Sequence, residues 1–143
     1  MASGRPTIDY AGLKQVFRFE VSRFPFAPEE RQRVLRRAYR ELEAALREAV
    51  RELEYEWGDP RRIPPRLLLA RLAKIYDSLQ EIQKEHGIHF SPELRGGLET
   101  LCEHVRRLRE GIGRGQGGLG PAIKELSLRL EELKRILGQV HRL

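Results

Sequence analysis

Residues 28–57 read PEERQRVLRRAYRELEAALREAVRELEYEW, and the reading of this stretch decides the fold. Apolar side chains recur at Leu35, Tyr39, Leu42, Leu46, Ala49, Leu53 and Trp57, always three or four residues apart. A strand would place its apolar residues two apart, whereas this rhythm follows one face of a helix in a heptad-like seam. Pro28 suits the first helical position, and Glu29 and Glu30 suit the positive helix N-terminus. Gly58 is expected to stop the helix, and the GDPRRIPP run at 58–65 reads as a rigid connector.

The same rhythm extends towards the C-terminus. Leu68, Leu72, Ile75, Leu79, Ile82 and His86 predict a helix over 65–86, closed by Gly87. Ser91-Pro92-Glu93 is a helix start. Leu94, Leu98, Leu101, Val105 and Leu108 carry that helix to about Glu110, with Gly96 and Gly97 allowing a close approach of a neighbour. A glycine-rich loop, 111–120, reads GIGRGQGGLG, and Pro121 opens a last helix with a seam at Ile123, Leu126, Leu130, Leu133, Leu137 and Val140. Towards the N-terminus the pattern is mixed. Phe17, Phe19 and Val21 alternate as in a strand, while Leu13, Phe17, Val21 and Phe24 keep helical spacing. A lone strand has nothing to pair with, so helix is the better expectation for 9–24, capped by Thr7 or Asp9 and ended by the FPFAP run. The fold class expected is all-α: an antiparallel helical bundle of four to five helices with one long helix, about 28–57. Residues 1–8 are expected to form a flexible N-terminal arm and residues 9–143 a single domain.

Composition removes several function classes. The longest uninterrupted apolar run, Leu67 to Ala70, is far below the ~20 residues that span a bilayer, so no membrane contact is expected. MASGRPTID shows no secretory pattern, and one cysteine, Cys102, leaves no internal disulfide framework, which fits a cytoplasmic setting. The chain carries 27 basic residues, 22 of them Arg, against 21 acidic ones, for a net charge of +6. That excess is spread along the chain and has no Lys/Arg tail.

No constellation of catalytic residues stands out, so the chain is expected not to be an enzyme. Cys102 and His104, two apart on a helix, point away from each other. His86 and His89 straddle Gly87, so neither a metal nor another cofactor is expected. Gly113-x-Gly115-x-x-Gly118 has dinucleotide-fingerprint spacing, but a helix precedes it where a strand is required. The loop reads first as a flexible linker between two helices, with Gly113, Arg114 and Gly115 as candidates for an anion-binding loop beside a helix N-terminus as the alternative. Phe17, Phe19, Phe24 and Phe26 read as a cap on the core or, failing that, an exposed docking patch.

Charge within the long helix is more informative. Positions 31–40 hold Arg31, Arg33, Arg36, Arg37 and Arg40 without an acid, and positions 41–56 hold six Glu against Arg47 and Arg51. A helix dipole favours the opposite order. Three readings remain open. The arginines contact nucleic-acid phosphates, helped by Arg61, Arg62 and Arg66. Two copies pair antiparallel, basic half against acidic half, as a homodimer. Or the face is simply solvated. The functional expectation is a non-catalytic helical binding subunit, set in a nucleic-acid-handling assembly with other protein subunits and touching the phosphate backbone. A self-associating scaffold built on the long helix is the alternative, and an enzyme comes third.

Overall fold

The computed structural model describes residues 8–54 and 64–143. These form five α-helices: α1 (Tyr10–Arg23), α2 (Glu29–Glu54), α3 (Pro65–His86), α4 (Pro92–Gly113) and α5 (Gly120–Gly138). Short 3-10 turns, Phe24–Phe26, Gly87–His89 and Gln139–Arg142, follow α1, α3 and α5. No strand occurs among the described residues.

Side-chain pairs across the helices fix their directions. Arg71 Nη1 and Lys74 Nζ on α3 bond the Glu52 carbonyl and Glu52 Oε1 on α2, while His86 at the far end of α3 meets Glu41. These two helices are therefore antiparallel. Gln83 reaches Cys102, and Arg109 lies over Tyr76, so α3 and α4 are antiparallel as well. Tyr10 meets His104 and Leu13 meets Gly97, which sets α1 against α4. Lys14 pairs with Glu132, and Arg129 lies over Tyr10, which sets α1 alongside α5. The chain runs alternately up and down through a five-helix bundle, with α2 against both α3 and α5.

The core is the set of seams. Leu42, Leu46, Leu53, Leu72, Leu94, Leu98, Leu101, Leu126 and Leu130 are wholly buried. Residues 10–23 are helical, with Asp9 accepting the Gly12 N–H at 2.9 Å as the cap. Helical spacing buries Phe17 and Val21 together and turns Phe19 outward, where Arg23 stacks over its ring. The strand-like alternation had no sheet to serve. Ser91 caps α4 by accepting the Leu94 N–H.

Two close approaches depend on glycine. A Cβ on Gly97 would stand 2.7 Å from Leu13 Cδ1, so α1 and α4 pack against each other there, whereas Gly96 faces open space. Helix α4 also runs beyond Glu110 to Gly113. Leu119 folds back onto Gly111, to within 2.9 Å of where a Cβ would sit, and is buried in the core. Gly115 and Gly118, at φ +72° and +76°, make the left-handed bends this return needs. Ile8 packs on the core, and the rest of the expected arm lies outside the described residues, as do Trp57 and the Gly58–Ile63 connector.

Candidate nucleic-acid interface

The five arginines of 31–40 do not lie on one face. Arg33, Arg36, Arg37 and Arg40 line one groove on the outer side of α2, about 620 Å³, together with Glu29, Gln32 and Glu41. Helical spacing turns Arg31 away from them, into a cleft at the end of the bundle. Arg66 opens α3, which begins beside the C-terminal half of α2, so it stands apart from the groove. Arg61 and Arg62 lie outside the described residues.

These cations differ in what holds them. Arg36 is part of the fold: its guanidinium stacks on Phe24 at 4.9 Å and donates to the Val140 carbonyl at 3.3 Å. Arg37 pairs with Glu41 at 3.7 Å with its side chain largely exposed. Arg31, Arg33 and Arg40 are exposed and make no ion pair or hydrogen bond with any described residue. The 3-10 turn at the C-terminus packs on α2 close by, through the Arg36–Val140 bond, and exposes Arg142.

The acidic half of α2 is arranged otherwise. Glu41 lies 2.7 Å from His86 Nε2, and this hydrogen bond, with Arg37 beyond it, holds the Glu41 carboxyl below the usual carboxylate range. Glu43 is buried between Arg47 at 3.1 Å and His141 Nε2 at 2.6 Å. Glu48 pairs with Arg51, and Glu52 with Lys74 at 2.7 Å. Each of these four carboxylates therefore meets a cationic or histidine partner within the chain. Antiparallel pairing of two copies through this half would have to displace those partners.

The glycine loop places its amides elsewhere than at an anion. The N–H of Arg114 donates to the Glu110 carbonyl, that of Gly115 to Ile112 and that of Gln116 to Gly111. Gly113 is the last residue of α4. The amides of Arg114 and Gly115 thus close the C-terminus of α4, the negative end of a helix, rather than the N-terminus of α5.

Cys102 is buried, and burial pushes its thiol up to about 11 despite a hydrogen bond from Gln83. His104 is buried edge-on to Tyr10, with no hydrogen-bond partner for either ring nitrogen, and burial lowers its pKa. His104 and Cys102 sit on different sides of α4, one towards α1 and one towards α3.

Two arrangements were missed in the sequence. Glu41, Glu85 and His86 bring one ligand atom each within 4.8 Å of one another, from the middle of α2 and the end of α3. These are donors a divalent cation takes, and only the antiparallel pairing of α2 with α3 reveals that they meet. Glu20 is the second. It lies on the seam side of α1, where its buried carboxylate accepts the Tyr39 hydroxyl at 2.5 Å and the Ser91 N–H at 3.2 Å. Burial, and then this bond to Glu20, push the Tyr39 hydroxyl far above the ordinary phenol range. No signal short of the three-helix packing places a glutamate there.

No helix of the described residues is long and apolar enough to cross a membrane. Compared with known proteins, the chain matches no family model, no curated protein and no solved structure.

Proposed function

We propose that this five-helix bundle is a non-catalytic binding subunit that holds the phosphate backbone of nucleic acid on the outer face of α2. The observation that carries the reading is the uneven pairing along one helix. Glu41, Glu43, Glu48 and Glu52 are each matched within the chain, while Arg33 and Arg40 are exposed in one groove and make no ion pair or hydrogen bond with any described residue, although Glu29 and Glu41 line the same groove. Arg36 and Arg37 bring the guanidinium groups of that groove to four. A guanidinium presents a planar fork of donors to a phosphate and remains charged throughout the physiological range. An assembly context follows from the size of this patch, because four phosphate contacts alone give weak, salt-sensitive binding that neighbouring subunits would reinforce.

The test is a titration of a fluorescently labelled oligonucleotide, single-stranded or duplex, at 50 mM and 300 mM salt. We expect binding at the lower salt that falls steeply at the higher. The double variant Arg33→Glu, Arg40→Glu should weaken it at least tenfold while leaving the helical content and thermal melt as in the wild type, because neither side chain supports the fold. Absence of binding to every oligonucleotide at 50 mM salt, or binding unmoved by the double variant, overturns the reading.

A further inference from the structure

The turn between α1 and α2 presents an aromatic ring that the core does not use. Phe24 is buried against Tyr39, with ring centroids 6.2 Å apart, and anchors the turn. Phe26, two residues later, is 89% exposed. The ring is held out by construction. Pro25 fixes the backbone before it, and Gln32 on α2 donates its side-chain amide to the carbonyls of both Pro25 and Ala27, at 3.2 and 2.9 Å. A phenylalanine left in water forgoes the gain of burial, and here a braced turn keeps it there.

Phe26 borders a cleft of about 410 Å³ at the end of the bundle. Its inner wall is made of buried residues, Phe24, Tyr39 and Phe90, and of the Glu20 carboxylate. Its outer members include Arg23 and Arg31, both exposed, and the half-buried His89. The cleft and the arginine groove adjoin, since Gln32 and Arg36 line the groove while bracing the Phe26 turn and stacking on Phe24.

We propose that this cleft takes an unpaired base of a single-stranded nucleic acid, stacked on Phe26, with its flanking phosphates on Arg31 and in the adjoining arginine groove. The inference rests on the phosphate reading above and narrows it to single strands. Three features carry it. Aromatic platforms beside basic grooves are how proteins hold unpaired bases, because every base has a face to stack. A phosphate entering the cleft would meet the buried Glu20 carboxylate as a like charge, whereas a base is uncharged. Glu20 accepts one bond on each oxygen, which leaves lone pairs that favour the N–H edge of a base. Arg31 lines the cleft and has no counter-ion among the described residues, which leaves it available to the phosphate next to that base.

Three probes test this by fluorescence anisotropy at 50 mM salt: a twelve-nucleotide thymidine homopolymer, the same backbone without bases, and a duplex of equal length. The homopolymer should bind most tightly. Phe26→Ala should weaken the homopolymer roughly ten- to a hundredfold, the range expected for one lost stacking contact, and leave the other two unchanged. Its far-ultraviolet circular dichroism and melt should match the wild type, since the ring supports nothing in the core. If Phe26→Ala binds the homopolymer as the wild type does while Arg33→Glu, Arg40→Glu loses it, the cleft holds no base and the phosphate reading stands alone. If a protein segment occupies the cleft instead, the result is the same indifference of all three probes to Phe26→Ala. If none of the probes binds the wild type, the phosphate reading fails and this inference fails with it.

Discussion

In the acidic half of α2, Glu43 lies buried between Arg47 and His141, and Glu52 is tied to Lys74 of α3. In the basic half of the same helix, Arg33 and Arg40 stand in water with no partner among the described residues. Both halves share one seam, with Leu35, Tyr39, Leu42, Leu46, Ala49 and Leu53 all buried. The difference therefore lies in the outer surface and not in packing. Charges in the acidic half act as fasteners between helices, and those of the basic half fasten little apart from Arg36. Between its first turn, where Glu29 and Glu30 suit the dipole, and its last, where Arg51 does, the helix carries its cations early and its anions late, against the order the dipole favours. The fold pairs the anions with partners on α2 itself, on α3 and on the C-terminal turn, and leaves Arg31, Arg33 and Arg40 without an ion pair among the described residues. What the basic half contributes is thus better sought outside the chain than in its stability.

The basic half also has a polar fastening on its inner side, between Tyr39 and Glu20, and its removal should have the largest effect on stability. Tyr39→Phe deletes the donor to Glu20 Oε2 and leaves a buried carboxylate with one partner fewer. The cost of such an orphaned acceptor is about 1–3 kcal/mol, read as a lower urea midpoint with an unchanged slope. A melt unaltered by Tyr39→Phe would mean that Glu20 is solvated in the cleft, and would remove the buried carboxylate that argues for a base there.

Next in size is the acidic half itself. Glu43→Ala removes the acceptor that Arg47 and His141 share and takes away one of the two ties between the C-terminal turn and α2, leaving the Arg36–Val140 bond. Charge-assisted hydrogen bonds contribute ~1.5–3 kcal/mol when buried, and the partial exposure of Arg47 and His141 lowers the expected loss to about 1–2 kcal/mol. Nucleic-acid binding should persist in this variant at temperatures where it is folded. Loss of binding without loss of stability would erase the distinction between the halves.

How much of this was legible in the sequence follows from the range of each interaction. The seams at Leu42 and Leu46, Leu98 and Leu101, Leu126 and Leu130 are local periodicities, and every one is buried. The Asp9 and Ser91 caps act over three residues and were equally readable. The segregation of charge along α2 is local too. Its pairing is not. That Glu41 meets His86, or Glu43 meets His141, depends on which helices become neighbours, across 45 and 98 residues of chain. The four phenylalanines of 17–26 show the boundary well. Helical spacing sorts Phe17 and Phe24 inward and Phe19 outward, but only the turn, braced from Gln32, decides that Phe26 is left exposed. The same limit hides Arg31 from Arg33. Nearness in sequence suggested one arginine cluster, and the helical turn of ~100° per residue separates them into a cleft and a groove.

The smallest expected effect is the most direct test of the comparison. Arg33→Ala and Arg40→Ala, singly, should each change stability by no more than about 0.5 kcal/mol, the range for surface positions without partners. Removing like charges that crowd one groove can even raise stability slightly, because Arg33, Arg36, Arg37 and Arg40 repel one another. Raising the salt concentration should narrow the difference between these variants and the wild type, since it screens that repulsion. The contrast with Glu43→Ala in the same helix, measured in the same buffer, is what carries the argument. If Arg33→Ala or Arg40→Ala destabilised the protein as much as Glu43→Ala does, the arginines would be structural, and the case that they await a phosphate would lose its foundation. If both are silent in the melt and costly in the oligonucleotide titration, then one helix holds a half that builds the bundle and a half that the bundle displays.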